Sequence, residues 1–322
     1  MIKRLLLPLG LVVALIAALF APGTGIWLAS PRTAFAMIAT MFLINGYQTD
    51  FKMFRINGRL PGAFLIAALV SFLGGSLLSK SLVSLLAFDP QIATGILVMS
   101  TMAPTLSSVI VITKESGGNT HWAILMTVGL NLLAIFATPV QLKFLLSGTT
   151  VSIPVAPLLL DLTLSVLVPF VIGTILRRII KLPPSGLINL LPTLLVVLLS
   201  YMSFCSGRHT LVESTLSTLV LILATLLALH LALFFIAIGL TRLFGYHSPE
   251  RKAVAFLSSQ KTLPTAIGIL ASMGYAGSAA ALPCVMFHFT QILSDSIIAT
   301  IWRSRKALPK PCPADEPVEA SV

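Results

Sequence analysis

The stretch SSQKTLPT, residues 258–265, places a lysine and a proline inside an otherwise apolar run. That run extends approximately from Ala253 to Met273, which is long enough to cross a bilayer. Proline lacks a backbone donor and clashes with the carbonyl one turn earlier, so Pro264 predicts a broken helix in mid-membrane. An ammonium such as that of Lys261 costs roughly 2.5 to 3.5 kcal/mol at the bilayer centre, and it is seldom kept without a partner or a task.

The rest of the chain has the same apolar character. Of its 322 residues, 57% are hydrophobic and only 10% are charged, whereas soluble domains carry roughly 25% charged residues. The composition predicts an all-α integral membrane protein without a separate soluble domain. We expect residues 1–305 to form one membrane domain and the Pro-rich, acidic residues 306–322 to form a disordered cytoplasmic tail.

Ten apolar stretches have approximately the length of a membrane span. They are Leu5 to Phe20, Thr33 to Tyr47, Pro61 to Ser79, Gln91 to Thr113, His121 to Leu145, Val155 to Leu176, Ile188 to Phe204, Leu216 to Leu240, Ala253 to Met273 and Ala279 to Ile301. Sixteen of the 21 Lys and Arg residues fall on one side of this map, four fall on the other, and Lys261 lies inside the ninth stretch. Because cytoplasmic loops carry the excess of basic residues, both termini are predicted to be cytoplasmic, which requires an even number of spans. We expect a multi-pass protein of the plasma membrane, which in a bacterium is the inner membrane.

A weak internal repeat appears when the chain is shifted on itself by 160 residues. Pro104 in the fourth stretch then falls on Pro264, and Asn131 in the fifth falls on Gln291 in the tenth. The offset divides ten helices into inverted halves of five, at about residues 1–150 and 151–305, which is the signature of secondary transporters.

The fourth stretch contains STMAPTLSS, residues 100–108, so it also sets a proline among small polar residues. Two helices broken at Pro104 and Pro264 would cross near the membrane midplane, where substrate sites of this architecture lie. Backbone groups freed by the breaks need polar side chains, water or a bound ion as partners.

Lys261 admits several interpretations. It could bind a carboxylate substrate, couple transport to protons, or replace a coupling cation. A purely structural ion pair with Asp161 or Asp295 is the alternative. His230, alone on the apolar eighth stretch, favours an ordinary interhelical hydrogen bond.

At these residues the chain resembles the bile acid:sodium symporter family, and within it the member-seven-like branch. The matching stretches are Ser107-Ser108-Val109 to Thr113-Lys114, Gly117-Gly118-Asn119, Val168-Pro169-Phe170-Val171-Ile172-Gly173 to Arg177-Arg178, Ser259-Gln260-Lys261-Thr262-Leu263, and His288 to Gln291-Ile292-Leu293. The resemblance implies ten helices in two inverted five-helix repeats, with the fourth and ninth helices broken and crossing.

The chain departs from the family at the sodium ligands that the resemblance implies. Ser107-Ser108 stands where sodium-coupled members have Ser-Asn, and Phe256 stands where they have a coordinating Glu. Thr127 matches a coordinating position, whereas Ala123 has lost the hydroxyl. A phenyl ring cannot coordinate a hard cation that requires oxygen ligands, so coupling through the usual sodium sites is not expected.

We therefore expect a secondary transporter that moves a small organic anion by alternating access, with sodium or proton coupling left open. The expected substrate or ion site consists of Ser107, Ser108, Thr127, Gln260, Lys261 and Thr262. Further candidates to line the cavity are Asn45, Asn131, His288 and Gln291.

The alternative function is a non-transporting membrane regulator of ion homeostasis or envelope assembly. No catalytic motif, cofactor motif or metal-ligand cluster appears in the sequence, so an enzyme is not expected. The expected partners are a small-molecule solute and the lipid bilayer, not nucleic acid, and the oligomeric state stays open.

Overall fold

A computed structural model describes residues 2–49, 58–106, 108–147, 155–180, 186–208, 212, 215–275 and 278–307. Throughout these ranges the regular structure is helical and includes no strand, as the composition predicts. In chain order the main helices are α1 (Ile2–Phe20), α2 (Pro22–Leu28), α3 (Pro31–Gln48), α4 (Leu60–Leu86), α5 (Pro90–Ser100), α6 (Ser108–Glu115), α7 (Thr120–Leu145), α8 (Val155–Ile179), α9 (Gly186–Ser206), α10 (Leu216–Leu243), α11 (Ser248–Ser259), α12 (Leu263–Ser272) and α13 (Ala281–Ala307).

Each of the ten predicted stretches overlaps a described helix, and the fourth and ninth also contain non-helical residues. Among the described helices, α4, α7, α8, α10 and α13 are long and apolar enough to cross a membrane, and α1 with α2 makes a sixth if that pair, bent by 105°, is one span. The fourth and ninth stretches are each split into two helices of 8 to 12 residues, too short to span alone. The arrangement of ten transmembrane helices in two inverted repeats therefore stays a prediction.

Two features at the chain's ends differ from the prediction. Helix α2 was not expected; Pro22 lies in its first turn, where a proline is accommodated without loss of a hydrogen bond. Helix α13 continues to Ala307, two residues into the segment expected to be disordered. The remainder of that tail, residues 308–322, lies outside the described residues.

The two interruptions differ in length. Helix α5 ends at Ser100 and α6 begins at Ser108, so Pro104 lies within an extended non-helical segment. Helix α11 ends at Ser259 and α12 begins at Leu263, leaving only residues 260–262 between them. Pro264 lies in the first turn of α12. A backbone N–H in the first turn has no acceptor within its own helix, so a proline there costs no hydrogen bond.

Surrounding helices enclose both interruptions. Helix α11 packs against α10, α4 and α7, whereas α12 packs against α3 and α13. Helix α4 contains a π-helical turn at Leu69–Gly74, and its middle packs on α11. The residues from Ser258 to Lys261 are consequently fully buried.

Helices α3 and α8 approach each other closely because glycines face each other across their contact. A Cβ atom added to Gly46 would lie 2.1 Å from the carbonyl oxygen of Phe170, and one added to Gly173 would lie 2.0 Å from that of Leu43. Real Cβ atoms do not tolerate such distances, so both positions require glycine. Small residues at helix contacts are a common device of membrane proteins.

We predict that Gly173→Ala lowers the free energy of unfolding by about 1–3 kcal/mol, because the added methyl group forces α3 away from α8. The matched control is Gly239→Ala on α10, where a Cβ atom meets nothing within 4 Å. The thermal unfolding midpoint of the detergent-solubilised protein measures both. Equal midpoints for the two variants would contradict the close packing.

Candidate functional site

The two interruptions contact each other directly. The backbone N–H of Thr262 donates to the carbonyl oxygen of Ala103 over 2.8 Å. Both residues are buried, so the bond is shielded from water. The two breaks that the prolines predicted from the sequence therefore meet at one point inside the protein.

Gln291 on α13 pairs the backbone of the second interruption. Its side-chain oxygen accepts from the N–H of Lys261, and its amide nitrogen donates to the carbonyl of Lys261, each over 2.7 Å. The same nitrogen lies 2.9 Å from Nδ1 of His288. Gln291, which was expected to line a cavity, thus hydrogen-bonds the backbone of the interruption, and His288 contacts Gln291.

Side chains of α7 hydrogen-bond the backbone of the first interruption in a similar way. Nδ2 of Asn131 donates to the carbonyl of Pro104 over 3.0 Å, and the hydroxyl of Thr138 donates to the carbonyl of Thr101 over 2.9 Å. Thr127 differs, since its hydroxyl donates to the carbonyl of Ala123 within its own helix.

Gln260 links the first interruption to α13. Its side-chain oxygen accepts from the hydroxyl of Thr105 over 2.6 Å. The hydroxyl of Ser108 lies beside both groups, in contact with the Thr105 hydroxyl and 3.1 Å from the Gln260 oxygen. Its amide nitrogen donates to Oδ2 of Asp295 over 2.6 Å. Thr105 was not among the expected site residues, although its position directly after Pro104 was a signal.

Lys261 points away from Gln260 and reaches the π-helical turn of α4. Its Nζ donates to the carbonyl oxygen of Ser71 over 2.6 Å and to the Ser71 hydroxyl over 2.8 Å. The Phe72 ring centroid lies 5.8 Å from Nζ. The alternative of an ion pair with Asp161 or Asp295 is wrong, because the amine is bound by neutral oxygens.

Asp295 pairs with His230 instead. Nε2 of His230 lies 2.9 Å from Oδ1 of Asp295, and Nδ1 lies 3.2 Å from the carbonyl oxygen of Ser259. Both side chains are fully buried. His230 therefore makes the interhelical bond expected from the sequence, and nothing in the sequence identified its partner.

Phe256 belongs to an aromatic cluster. Its ring centroid lies 5.4 Å from that of Phe234 and 5.6 Å from that of Trp302. The position where the resemblance implies a coordinating Glu is therefore filled by packed rings, which offer no oxygen ligand.

A cavity of about 450 Å³ lies between α3, α8 and α12. Its polar lining comes from Arg32, Asp161, Ser165, Thr265 and Ser272. A smaller void shares Thr265 with the cavity and extends to Ala103, Asn131 and Thr262 at the interruptions. The Thr265 hydroxyl is buried and, within the described part of the chain, has no hydrogen-bond partner. The cavity therefore leads towards the point where the breaks meet.

The expected site residues are thus only partly brought together. Ser108 and Gln260 bond each other, and Thr262 and Asn131 line the small void. Thr127 faces its own helix, and the Lys261 amine lies at α4. Asn45 lies in the last turn of α3, where its carbonyl accepts from Thr49. Ser107 lies outside the described residues.

An apolar all-helical chain with two interrupted helices that meet beside a cavity has the architecture of a membrane transporter. The chain belongs to the SBF-like CPA transporter family, whose sequence profile matches residues 4–304. It is 28% identical to the rice "Probable sodium/metabolite cotransporter BASS4, chloroplastic" over 93% of this chain and 75% of the rice protein. It is 27% identical to the mouse "Sodium/bile acid cotransporter 7" over 92% of this chain and 91% of the mouse protein.

We predict that Gln291→Ala destabilises the protein strongly, because it leaves the buried N–H and carbonyl of Lys261 unpaired, at about 1–3 kcal/mol for each group. The control is Gln141→Ala on α7, where the side-chain oxygen has no hydrogen-bond partner among the described residues. Thermal unfolding compares the two. A Gln291 variant as stable as the Gln141 variant would show that the second interruption does not depend on this amide.

Proposed function

We propose that the chain is a secondary carrier that moves a small organic anion by alternating access. In this proposal ten spans form two inverted five-helix repeats, and the fourth and ninth spans are the interrupted helices. The observation that carries the proposal is the contact between the two interruptions beside a cavity of about 450 Å³. Crossed, broken helices next to a solute-sized cavity are typical of such carriers.

The equivalent roles of two side chains support the repeat. Asn131 and Gln291 stand 160 residues apart, and each lies on the helix that follows an interrupted one. Each donates its side-chain amide to a backbone carbonyl of the interruption in its own half, Pro104 in one case and Lys261 in the other. A shared ancestry of the two halves explains why both sites use an amide.

The lining of the cavity favours an anion. Arg32 offers a guanidinium that can bind a carboxylate with two parallel hydrogen bonds, and Thr265 lines both this cavity and the smaller void at the interruptions. Asp161 on α8 repels a second negative charge nearby. A monocarboxylate therefore fits better than a compact dianion. By the distribution of basic residues, the Arg32 end faces away from the cytoplasm.

Lys261 serves in this proposal as a permanently attached cation. Its amine is held by a backbone carbonyl and a hydroxyl of Ser71, the type of oxygen ligand that a hard metal cation takes. Phe256 removes the carboxylate that sodium-coupled relatives are expected to use. The positive charge is thus supplied by the chain, and the usual sodium sites are not needed.

The proposal is tested first by binding and transport. Purified protein is screened by thermal shift against lactate, gluconate, benzoate and citrate, with and without sodium, because a ligand that binds the folded state raises its apparent stability. Labelled compounds that stabilise it are then followed into proteoliposomes. If no carboxylate stabilises the protein or enters the vesicles, the carrier proposal fails and the non-transporting regulator becomes the better description.

We predict that Lys261→Ala abolishes uptake of the stabilising carboxylate or makes it depend on sodium, because the variant loses the attached cation. Lys80→Ala, whose ammonium lies over the Phe144 ring at 4.9 Å, is the matched control and should transport normally. Uptake by the Lys261 variant that equals that of the control, with and without sodium, would overturn the assigned role.

We predict that Arg32→Gln raises the KM for the carboxylate about tenfold or more, corresponding to loss of a charged hydrogen bond of roughly 1.5–3 kcal/mol. Arg208→Gln is the control, because Arg208 is predicted to lie on the same side of the membrane and is not among the residues that line the cavity. Concentration-dependent uptake measures both. Equal KM values for the two variants would exclude Arg32 from solute binding.

A further inference from the structure

We infer that the solute of the cavity is an amino acid with an apolar side chain, whose carboxylate binds Arg32 and whose ammonium binds Asp161. The inference rests on the proposed function, since it names the class of solute that the proposed carrier moves. It narrows the solute from any monocarboxylate to a zwitterion. The carboxylate of that zwitterion is the anionic group that the carrier proposal requires.

Two side chains of opposite charge line the cavity without pairing. Arg32 lies in the first turn of α3 and Asp161 in the second turn of α8, and both line the space of about 450 Å³ between these helices and α12. Among the described residues no ion pair joins them, and neither the guanidinium nor the carboxylate makes a hydrogen bond. Both charges are therefore available to a bound solute.

The Asp161 carboxylate calls for a cationic partner. It is half-buried and belongs to a helix that is long and apolar enough to cross a membrane. Ionisable residues within such helices are rare, and they usually pair with an opposite charge or line a solute path. The other charged residue of the cavity lining is Arg32, which the solute carboxylate occupies. An ammonium on the solute supplies the missing partner for Asp161.

The balance of charge favours a zwitterion over a simple anion. A monocarboxylate bound to Arg32 neutralises the guanidinium and leaves the Asp161 carboxylate as an uncompensated charge beside it. A solute that carries both charges pairs with both side chains, and hydrogen bonds between charged groups are stronger than those between neutral ones. A hydroxyl in place of the ammonium would donate a hydrogen bond to Asp161 without neutralising it.

The hydroxyl groups of the lining limit the polar part of the solute. The Ser165 hydroxyl donates to the carbonyl of Asp161 over 2.6 Å, and the Ser272 hydroxyl donates to the carbonyl of Gly268 over 3.1 Å. The Thr265 hydroxyl is buried and has no hydrogen-bond partner in the described part of the chain. One free hydroxyl can serve the head group of an amino acid, whereas the several hydroxyls of a sugar acid would lack partners.

The rest of the lining is suited to an apolar side chain. Small-molecule sites are typically cavities of roughly 300–1,000 Å³ in which a few polar groups orient the ligand and apolar side chains surround it. An apolar group gains stability when it leaves water for such a surface. The larger apolar residues of this lining are Phe35, Ile38, Leu158, Leu162 and Ile269. Leucine and phenylalanine combine the required head group with a side chain of this kind.

The test compares each amino acid with analogues that lack one charged group. Full-length protein in detergent is titrated with leucine, with isocaproate, which lacks the ammonium, and with isoamylamine, which lacks the carboxylate. Thermal shift yields a Kd for each compound. At least one amino acid should bind about tenfold or more tightly than both of its analogues, because each analogue loses one charged hydrogen bond. Phenylalanine, hydrocinnamate and phenethylamine form a second set, and glycine, which lacks an apolar side chain, should bind more weakly than the preferred amino acid.

Asp161→Asn links the preference to its side chain. Asparagine keeps the size and one acceptor oxygen of aspartate but not its charge, so the variant should bind the amino acid and its deaminated analogue with nearly equal Kd values. A loss of folding alone would not change this ratio. The matched control is Asp89→Asn, which alters a helix cap that asparagine also forms, and it should keep the wild-type ratio.

The outcomes separate the solute class from the carrier. If the wild type binds the deaminated analogues as tightly as the amino acids, or if Asp161→Asn keeps the preference, the zwitterion is wrong while the carrier stands. Glycine that binds as tightly as the preferred amino acid would overturn the role of the apolar lining. If no labelled amino acid or carboxylate enters proteoliposomes, the carrier fails and the solute class with it. If the Asp161 variant is not monodisperse on size exclusion, the ratio measured for the wild type decides alone.

Discussion

The structure depends on the pairing of backbone groups at two helix interruptions inside an apolar chain. Hydrocarbon offers no hydrogen bonds, so each exposed N–H or carbonyl must find a partner within the protein. Gln291 pairs both groups of Lys261, Asn131 pairs Pro104, and Thr262 pairs Ala103 on the opposite interruption. The interruptions persist because side chains from neighbouring helices complete them.

Because backbone groups at the interruptions must be paired, some polar residues serve the structure and only the others are available to bind a solute. The amide nitrogen of Asn131, the hydroxyl of Thr138 and the amide of Gln291 are bonded to backbone groups and cannot bind a solute without opening an interruption. Arg32 and Thr265, by contrast, line the cavity, and the buried Thr265 hydroxyl has no hydrogen-bond partner among the described residues. A polar residue near the midplane is therefore weak evidence of solute contact until its own hydrogen bonds are counted.

The fold was more predictable from the sequence than the site. Span-length apolar runs and the two prolines located the helices and both interruptions, because hydrophobicity and the missing proline N–H act locally. The direction of the Lys261 side chain was not predictable, since it depends on a π-helical turn in α4 that presents the carbonyl and hydroxyl of Ser71. The pairing of His230 with Asp295 likewise depends on helix packing across 65 residues.

The buried Lys261 amine and the buried His230–Asp295 contact connect different helices to the second interruption. The Lys261 amine is held by the carbonyl oxygen and the hydroxyl of Ser71 on α4. His230 contacts Asp295 through Nε2 and Oδ1 over 2.9 Å, and its Nδ1 lies 3.2 Å from the carbonyl oxygen of Ser259 at the end of α11. The Lys261 amine joins the second interruption to α4, and the His230–Asp295 contact joins the end of α11 to α10 and α13, so the position of this interruption depends on helices from several parts of the chain.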